Sequence, residues 1–276
     1  MNPQARYKGL RIPLPQAIQG QAQLAFATPM VVGQSLILGP LVTALTGLFP
    51  PIQDPVLKAW MRGVLLWSGV DLVVEGDEQL DPQGRYVFVS NHQSHFDVPC
   101  VSSALPVPVR FVAKRSLAKI PVFGAAMRAV GTVVIDRDDR SDTMRRLKDA
   151  QRGVAQRCSL HFFAEGTRSQ DGQLRPFKKG AAAMALALQI PLVPVAVSGT
   201  RHIYPKGTVK LKPGTGYVSI GRPIPPGRED TAEERSRLTR EVRAEVQRML
   251  LQHGEPVDEP NLERDPVGHQ EVLRGR

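Results

Sequence analysis

"GAAAMALALQIPLVPVAVSG", residues 180–199, decides the fold class. Its first ten residues are helix formers that are apolar all round, as a helix buried on every side would be. The run that follows Ile190, "PLVPVAVSG" (191–199), is short, β-branched and closed by glycine, and reads as a strand. A buried helix feeding directly into a buried strand is the repeating step of an α/β sheet. The same alternation extends outward. "DLVVEG" (71–76), "RYVFVS" (85–90), "VRFVAK" (109–114), "GTVVID" (131–136) and "CSLHFF" (158–163) read as strands. "SDTMRRLKDAQRGVAQ" (141–156) reads as a helix with a serine cap. "TVKLKPGTGYVSIGRPI" (208–224) reads as a hairpin around Pro213-Gly214-Thr215-Gly216 at a sheet edge. Thr231 and Glu234 form a capping box for a helix whose apolar stripe is Leu238, Val242, Val246, Met249 and Leu250, with Gly254 as its stop. The expected fold is therefore α/β, a mostly parallel mixed sheet flanked by helices.

At 276 residues and 42% apolar composition, the chain can bury a large core. Two cysteines build no disulfide framework, and no Cys/His finger spacing occurs. The formal charge of +10 favours anionic partners. With only 5% aromatics and no dense basic run, nucleic acid is excluded as a partner in favour of lipid or phosphate. Between Arg11 and Asp54 there is no charged residue, and "AQLAFATPMVVGQSLILGPLVTALTGLF" (22–49) is long enough to cross a bilayer. Pro29, Gly33, Gly39, Pro40 and Gly47 interrupt it, so the expectation is an N-terminal apolar helical hairpin in or at the membrane. Arg6, Lys8 and Arg11 before it and Lys58 and Arg62 after it place both flanks on the cytoplasmic face of the inner (plasma) membrane. "PVLKAWMRGVLLWS" (55–68) reads as a following helix with Trp60 and Trp67 on one face.

"NHQSHFD" (91–97) leaves the second strand carrying two histidines, a serine and an aspartate. Ser94 and Asp97 by themselves make a capping box for a helix beginning at Ser94. A metal site of His92, His95 and Asp97 is disfavoured, because residues 95 and 97 point to different helix faces. An acid–base pair fits better: Asp97 fixes the tautomer of His92 and leaves the second ring nitrogen to take a proton. No Gly-x-Ser-x-Gly elbow supplies a nucleophile, so the hydroxyl would be the substrate's and the enzyme a transferase.

These residues resemble the glycerophospholipid acyltransferases, typified by lysophosphatidic acid acyltransferases. The Asn-His-x4-Asp motif of that family is matched by Asn91, His92 and Asp97, with Ser94 at its usual place. Lys114, Leu117, Pro121 and Gly124 match the second motif; "FAEGTRS" (163–169) matches the third except that Ala164 stands where proline is usual; "PLVPVAVSGT" (191–200) matches the fourth. The resemblance implies transfer of a fatty acyl group from acyl-CoA or acyl-carrier protein to the hydroxyl of a lysophospholipid, above all lysophosphatidate. The competing readings are a membrane-associated thioesterase using the same His–Asp pair, or acylation of a lyso-aminolipid. It implies His92 as base, Asp97 as its orienting acid, and Glu165, Gly166, Thr167, Arg168 and Lys114 around the acceptor's phosphate. It implies no metal and no cofactor beyond the acyl donor. The expected organisation is a membrane-associated helical segment over 1–70, an acyltransferase α/β domain over 71–253 and a disordered tail over 254–276.

Overall fold

A computed structural model describes residues 6–48, 53–119, 123–136, 139–153, 155, 157–208 and 210–255, residue 14 excepted. Pro121 of the second motif and the expected tail from residue 256 onward lie outside the described residues. Seven strands are ordered β1-β7-β6-β2-β5-β3-β4. They are β1 (Val70–Glu75), β2 (Val87–Ser90), β3 (Val109–Lys114), β4 (Val133–Ile135), β5 (Ser159–Phe163), β6 (Leu192–Ser198) and β7 (Gly214–Ile220). All neighbours pair parallel except β6 and β7.

The helices are α1 (Gln16–Leu48), α2 (Gln53–Trp67), α3 (Asp97–Ala104), α4 (Phe123–Ala129), α5 (Arg140–Arg152), α6 (Gly180–Leu188), α7 (Thr200–Ile203) and α8 (Ala232–Gln252). Alternation along the strands splits the core. Val87, Val89, Leu160 and Phe162 face a layer that holds Ala181, Ala185, Leu238, Val242 and Leu250. Phe88, Val193, Val195 and Val197 face Cys100, Val101 and Leu65 on the other side. Both faces are covered, as a parallel sheet requires.

The apolar N-terminal run differs from expectation. It is one continuous helix, α1, which Pro29 and Pro40 do not end. α2 (Gln53–Trp67) runs back antiparallel along α1, so the hairpin is formed by α1 with α2 rather than within 22–49. Polar side chains hold the pair together. Trp60 Nε1 donates to Ser35 Oγ at 2.9 Å, Trp67 Nε1 donates to Gln34 Oε1 at 3.0 Å, and Gln23 Nε2 donates to the Trp67 carbonyl at 2.8 Å. A Cβ on Gly63 would collide with the Gln34 side chain, so glycine permits the close approach. These tertiary contacts outweigh the local cost of proline in a helix interior.

Three further expectations change. Residues 208–224 hold one strand, β7, lying between β1 and β6 rather than at an edge. The cap of α5 is Asp139, whose carboxylate accepts from the Ser141 and Asp142 N–H groups. Thr231 does cap α8 through the Glu234 N–H, but the Glu234 carboxylate turns to the Gly227 N–H, so only half of the capping box forms.

Candidate active site

Parallel pairing of β2 with β5, with Ser90 opposite Phe163, sends residues 91–97 and 164–178 out of the same sheet edge. Asn91 fastens the first loop. Its buried amide donates to the Val197 carbonyl and accepts from the Val197 N–H, both at 2.8 Å, prolonging the β2–β6 ladder through a side chain. Ala164 fastens the second, donating its N–H to the Ser90 carbonyl at 3.0 Å. Proline has no such hydrogen, so the alanine adds a bond rather than loosening the loop. Ser169 N–H to the His92 carbonyl, at 2.8 Å, ties the loops together.

The His92 ring stacks on Phe163, with centroids 4.0 Å apart and 20° between planes. Its Nδ1 lies 2.7 Å from Asp97 Oδ2. Asp97 is fully buried and takes four donors: His92 Nδ1–H, Gln93 N–H and Ser94 N–H on Oδ2, and the Thr200 hydroxyl on Oδ1. A carboxylate so occupied accepts from the imidazole and puts the ring proton on Nδ1, which leaves Nε2 as the basic nitrogen. Ser94 has a different task from the one the capping box predicts. The helix starts at Asp97, and the Ser94 hydroxyl accepts from the Phe96 N–H and donates to the Tyr204 carbonyl at 2.9 Å.

Glu165 is buried and turned inward. Oε1 accepts from the His92 N–H at 2.7 Å and Oε2 from the Arg175 N–H at 3.3 Å. Burial pushes its acid pKa up to about 7, against the pull of those two N–H donors. Gly166, at φ 75°, lies beneath the Lys178 side chain. A cavity of about 270 Å³ opens beside His92. It is lined by His92, His95, Lys114, Thr167 and Arg168 and by many apolar side chains, among them Leu57, Trp60 and Met61 of α2, Val98 of α3, Met127 and Val130. Of the residues expected around a phosphate, Lys114, Thr167 and Arg168 therefore line the cavity, while Glu165 and Gly166 do not. His95 tilts toward the Tyr204 ring, 6.2 Å away, and shares no hydrogen bond with Asp97.

Thr200, Phe163 and Tyr204 were not singled out by sequence for these roles. Thr200 closes the fourth motif quoted above, yet its partner Asp97 is on another element, so no local spacing points to the contact. Taken together, the geometry offers a histidine base on the lining of a largely apolar cavity, with the cationic side chains of Lys114 and Arg168 on the same lining. That arrangement can deprotonate a hydroxyl held by an anionic group next to a long apolar chain.

Residues 71–198 match the family model described as Acyltransferase. Over these residues the chain is similar to the acyltransferase family. The chain is 37% identical over 167 residues to a chloroplastic 1-acyl-sn-glycerol-3-phosphate acyltransferase of Brassica napus, covering 58% of this chain and 48% of that one. It is 31% identical over 171 residues to the human 1-acyl-sn-glycerol-3-phosphate acyltransferase alpha, covering 62% of this chain and 60% of that one. The chain thus spans about half to three fifths of the length of these curated relatives. The crystal structure of the 1-acyl-sn-glycerophosphate acyltransferase PlsC from Thermotoga maritima superposes with a TM-score of 0.71 at 26% identity, covering 85% of this chain and 98% of that one.

Proposed function

We propose that this acyltransferase moves a fatty acyl group from a thioester donor, acyl-CoA or acyl-carrier protein, to the free hydroxyl of 1-acyl-sn-glycerol-3-phosphate. The observation that carries the reading is the His92–Asp97 pair, whose histidine lines a largely apolar cavity together with Lys114 and Arg168. The relatives named 1-acyl-sn-glycerol-3-phosphate acyltransferases support the same acceptor. His92 Nε2 takes the acceptor's hydroxyl proton as the oxygen attacks the thioester carbonyl. The carbon–sulfur bond of the resulting tetrahedral intermediate then breaks, and the imidazolium returns the proton to the departing thiolate. Asp97 holds the ring and stabilises its charged form. Arg168, whose planar fork suits phosphate oxygens, takes the acceptor's phosphate with Lys114 and Thr167. Glu165 and Gly166 shape the loop that carries Arg168. No resident metal or cofactor enters this scheme.

The same reading places the enzyme on a membrane, where its acceptor and product reside. α1 carries no charge and exposes Val32, Leu36, Ile37 and Leu41, with Ile37 at 69% exposure. One end of α1 approaches Leu211 next to β7, and the helix also packs against α4, so it lies along the domain rather than projecting from it. We propose that it seats in the bilayer interface on the cytoplasmic side, with the basic residues that flank the helical pair facing anionic headgroups.

The decisive assay supplies radiolabelled oleoyl-CoA with a panel of lysolipids. Transfer to lysophosphatidate, falling about a thousandfold or more in His92→Ala, is the expected result. Undiminished transfer by that variant would remove His92 from the chemistry, and thioester loss without acylated product would mark a hydrolase instead.

A further inference from the structure

The turn after α7 carries a lysine that the chemistry above leaves unused. We infer that Lys206 is a positioning residue for the acceptor's phosphate, acting through the backbone of Arg168. This inference rests on the acyl-transfer reading above. Lys206 Nζ, partly buried, donates to the Arg168 carbonyl at 2.8 Å. The Thr208 N–H closes the turn on the Pro205 carbonyl at 3.3 Å. Gly207, at φ 81°, fits the third position of a type II turn, with Lys206 at the second.

One short segment thereby reaches both loops of the site. The Thr200 hydroxyl donates to Asp97, and the Tyr204 carbonyl accepts from the Ser94 hydroxyl. These two contacts settle the loop that carries the base. Lys206 settles the other. That loop is already anchored on either side of Arg168, where the Gly166 N–H donates to the Phe163 carbonyl and the Ser169 N–H to the His92 carbonyl. Lys206 adds a hold on Arg168 itself.

The choice of a charged donor points to an anion. A neutral side chain could satisfy a carbonyl, yet lysine brings a second positive charge to a loop that holds Arg168 and has Lys178 folded over Gly166. Gathering one sign of charge costs stability unless an anion completes it. The carboxylates of this loop are engaged elsewhere: Glu165 with the His92 and Arg175 N–H groups, Asp171 with the Ser169 hydroxyl and the Gln173 N–H. Burial and then the Arg168 charge hold the His95 pKa below its ordinary value, which sets that charge beside a fellow member of the cavity lining. Lys206 does not line the cavity. Its effect on the phosphate runs through Arg168: a fixed carbonyl fixes the Cα, and the guanidinium loses less freedom when it meets its anion.

The test measures kcat and the acceptor's KM with oleoyl-CoA and lysophosphatidate for wild type, Lys206→Met, Lys206→Arg, Arg168→Ala and the double variant Lys206→Met/Arg168→Ala. Lys206→Met should raise KM about fivefold, the scale of one hydrogen bond, with kcat little changed. Lys206→Arg, which keeps a donor and the charge, should restore most of the loss. In the Arg168→Ala background the same methionine should change KM by less than about twofold, because the side chain it positions is gone. A fivefold rise that persists undiminished in that background overturns the inference, since the Arg168 carbonyl is still present there and the lysine would merely be bracing the loop. A fall in kcat with KM unchanged overturns it too, as does an arginine variant no better than methionine. Wild-type enzyme that acylates no lysophosphatidate would instead fell the transfer reading, and this inference with it.

Discussion

Two buried carboxylates flank His92, one from each loop at the sheet edge, and they hold it in different ways. Asp97 accepts four donors, one of them the imidazole itself. Glu165 accepts two backbone N–H groups, one of which is that of His92. The first fixes a ring and its tautomer; the second fixes the stretch of backbone from which the ring hangs. Burial and the nearby Asp97 charge raise the acid range of Glu165, and its two N–H donors and Arg175 only partly offset them. What a buried carboxylate does is thus decided by which donors reach it, not by its place in a motif.

That contrast can be broken by substitution. Asp97→Asn should cost most: the amide presents a donor to Nδ1, the ring takes the wrong tautomer, and kcat falls by about a thousandfold to ten-thousandfold. Equal activity would mean that Asp97 only supports the loop. Glu165→Ala should lower kcat roughly tenfold to a hundredfold by freeing the His92 N–H, with little change in the acceptor's KM. Arg168→Ala should do the reverse, raising the acceptor's KM by roughly tenfold while kcat is better preserved. A KM rise in Glu165→Ala as large as that in Arg168→Ala would return Glu165 to the acceptor's phosphate. Thr200→Val should lower kcat only severalfold, because one of four donors to Asp97 is lost, at about 1–2 kcal/mol of stability by chemical denaturation.

The smallest expected effect is on pH dependence. A Glu165 acid range near 7 in the folded chain lies above its ordinary value of 4.5, so the folded state binds the extra proton between them. Its contribution is present in full below the ordinary value and lost as pH rises through 7, to a limit of about 3 kcal/mol. Denaturant titrations of wild type against Glu165→Gln across this window should show the slope only in wild type. The other charged groups facing Glu165 are Asp97 and Arg175, both kept in the variant.

Much of this was legible from residue order. The alternation of apolar helix and β-branched strand located β1 through β6 to within two residues at each end, because both faces of a parallel sheet must be apolar. The spacing of Asn91, His92 and Asp97 was likewise readable, since a strand end, a short turn and a helix start bring His92 and Asp97 together locally. Where the sequence misled, the controlling contact was distant. Pro29 and Pro40 signal breaks, but α2 braces α1 through Trp60, Trp67 and Gln23. Pro213-Gly214 signals a hairpin, but β7 finds better partners in β6 and β1. Ser94 signals a cap, but Asp97 takes its N–H and Tyr204 takes its hydroxyl hydrogen.

By itself the sequence determined the layered α/β architecture, the family resemblance and the pairing of His92 with Asp97, all of which depend on local periodicity or on residues a few positions apart. Tertiary structure alone decided that Thr200 completes the set of donors to Asp97, that Glu165 faces inward, and that Arg110 meets Asp54. Those outcomes turn on which polar groups are left to satisfy one another once the sheet has closed and water has been excluded. Hydrogen-bond partners at such separations leave no periodic trace in the chain.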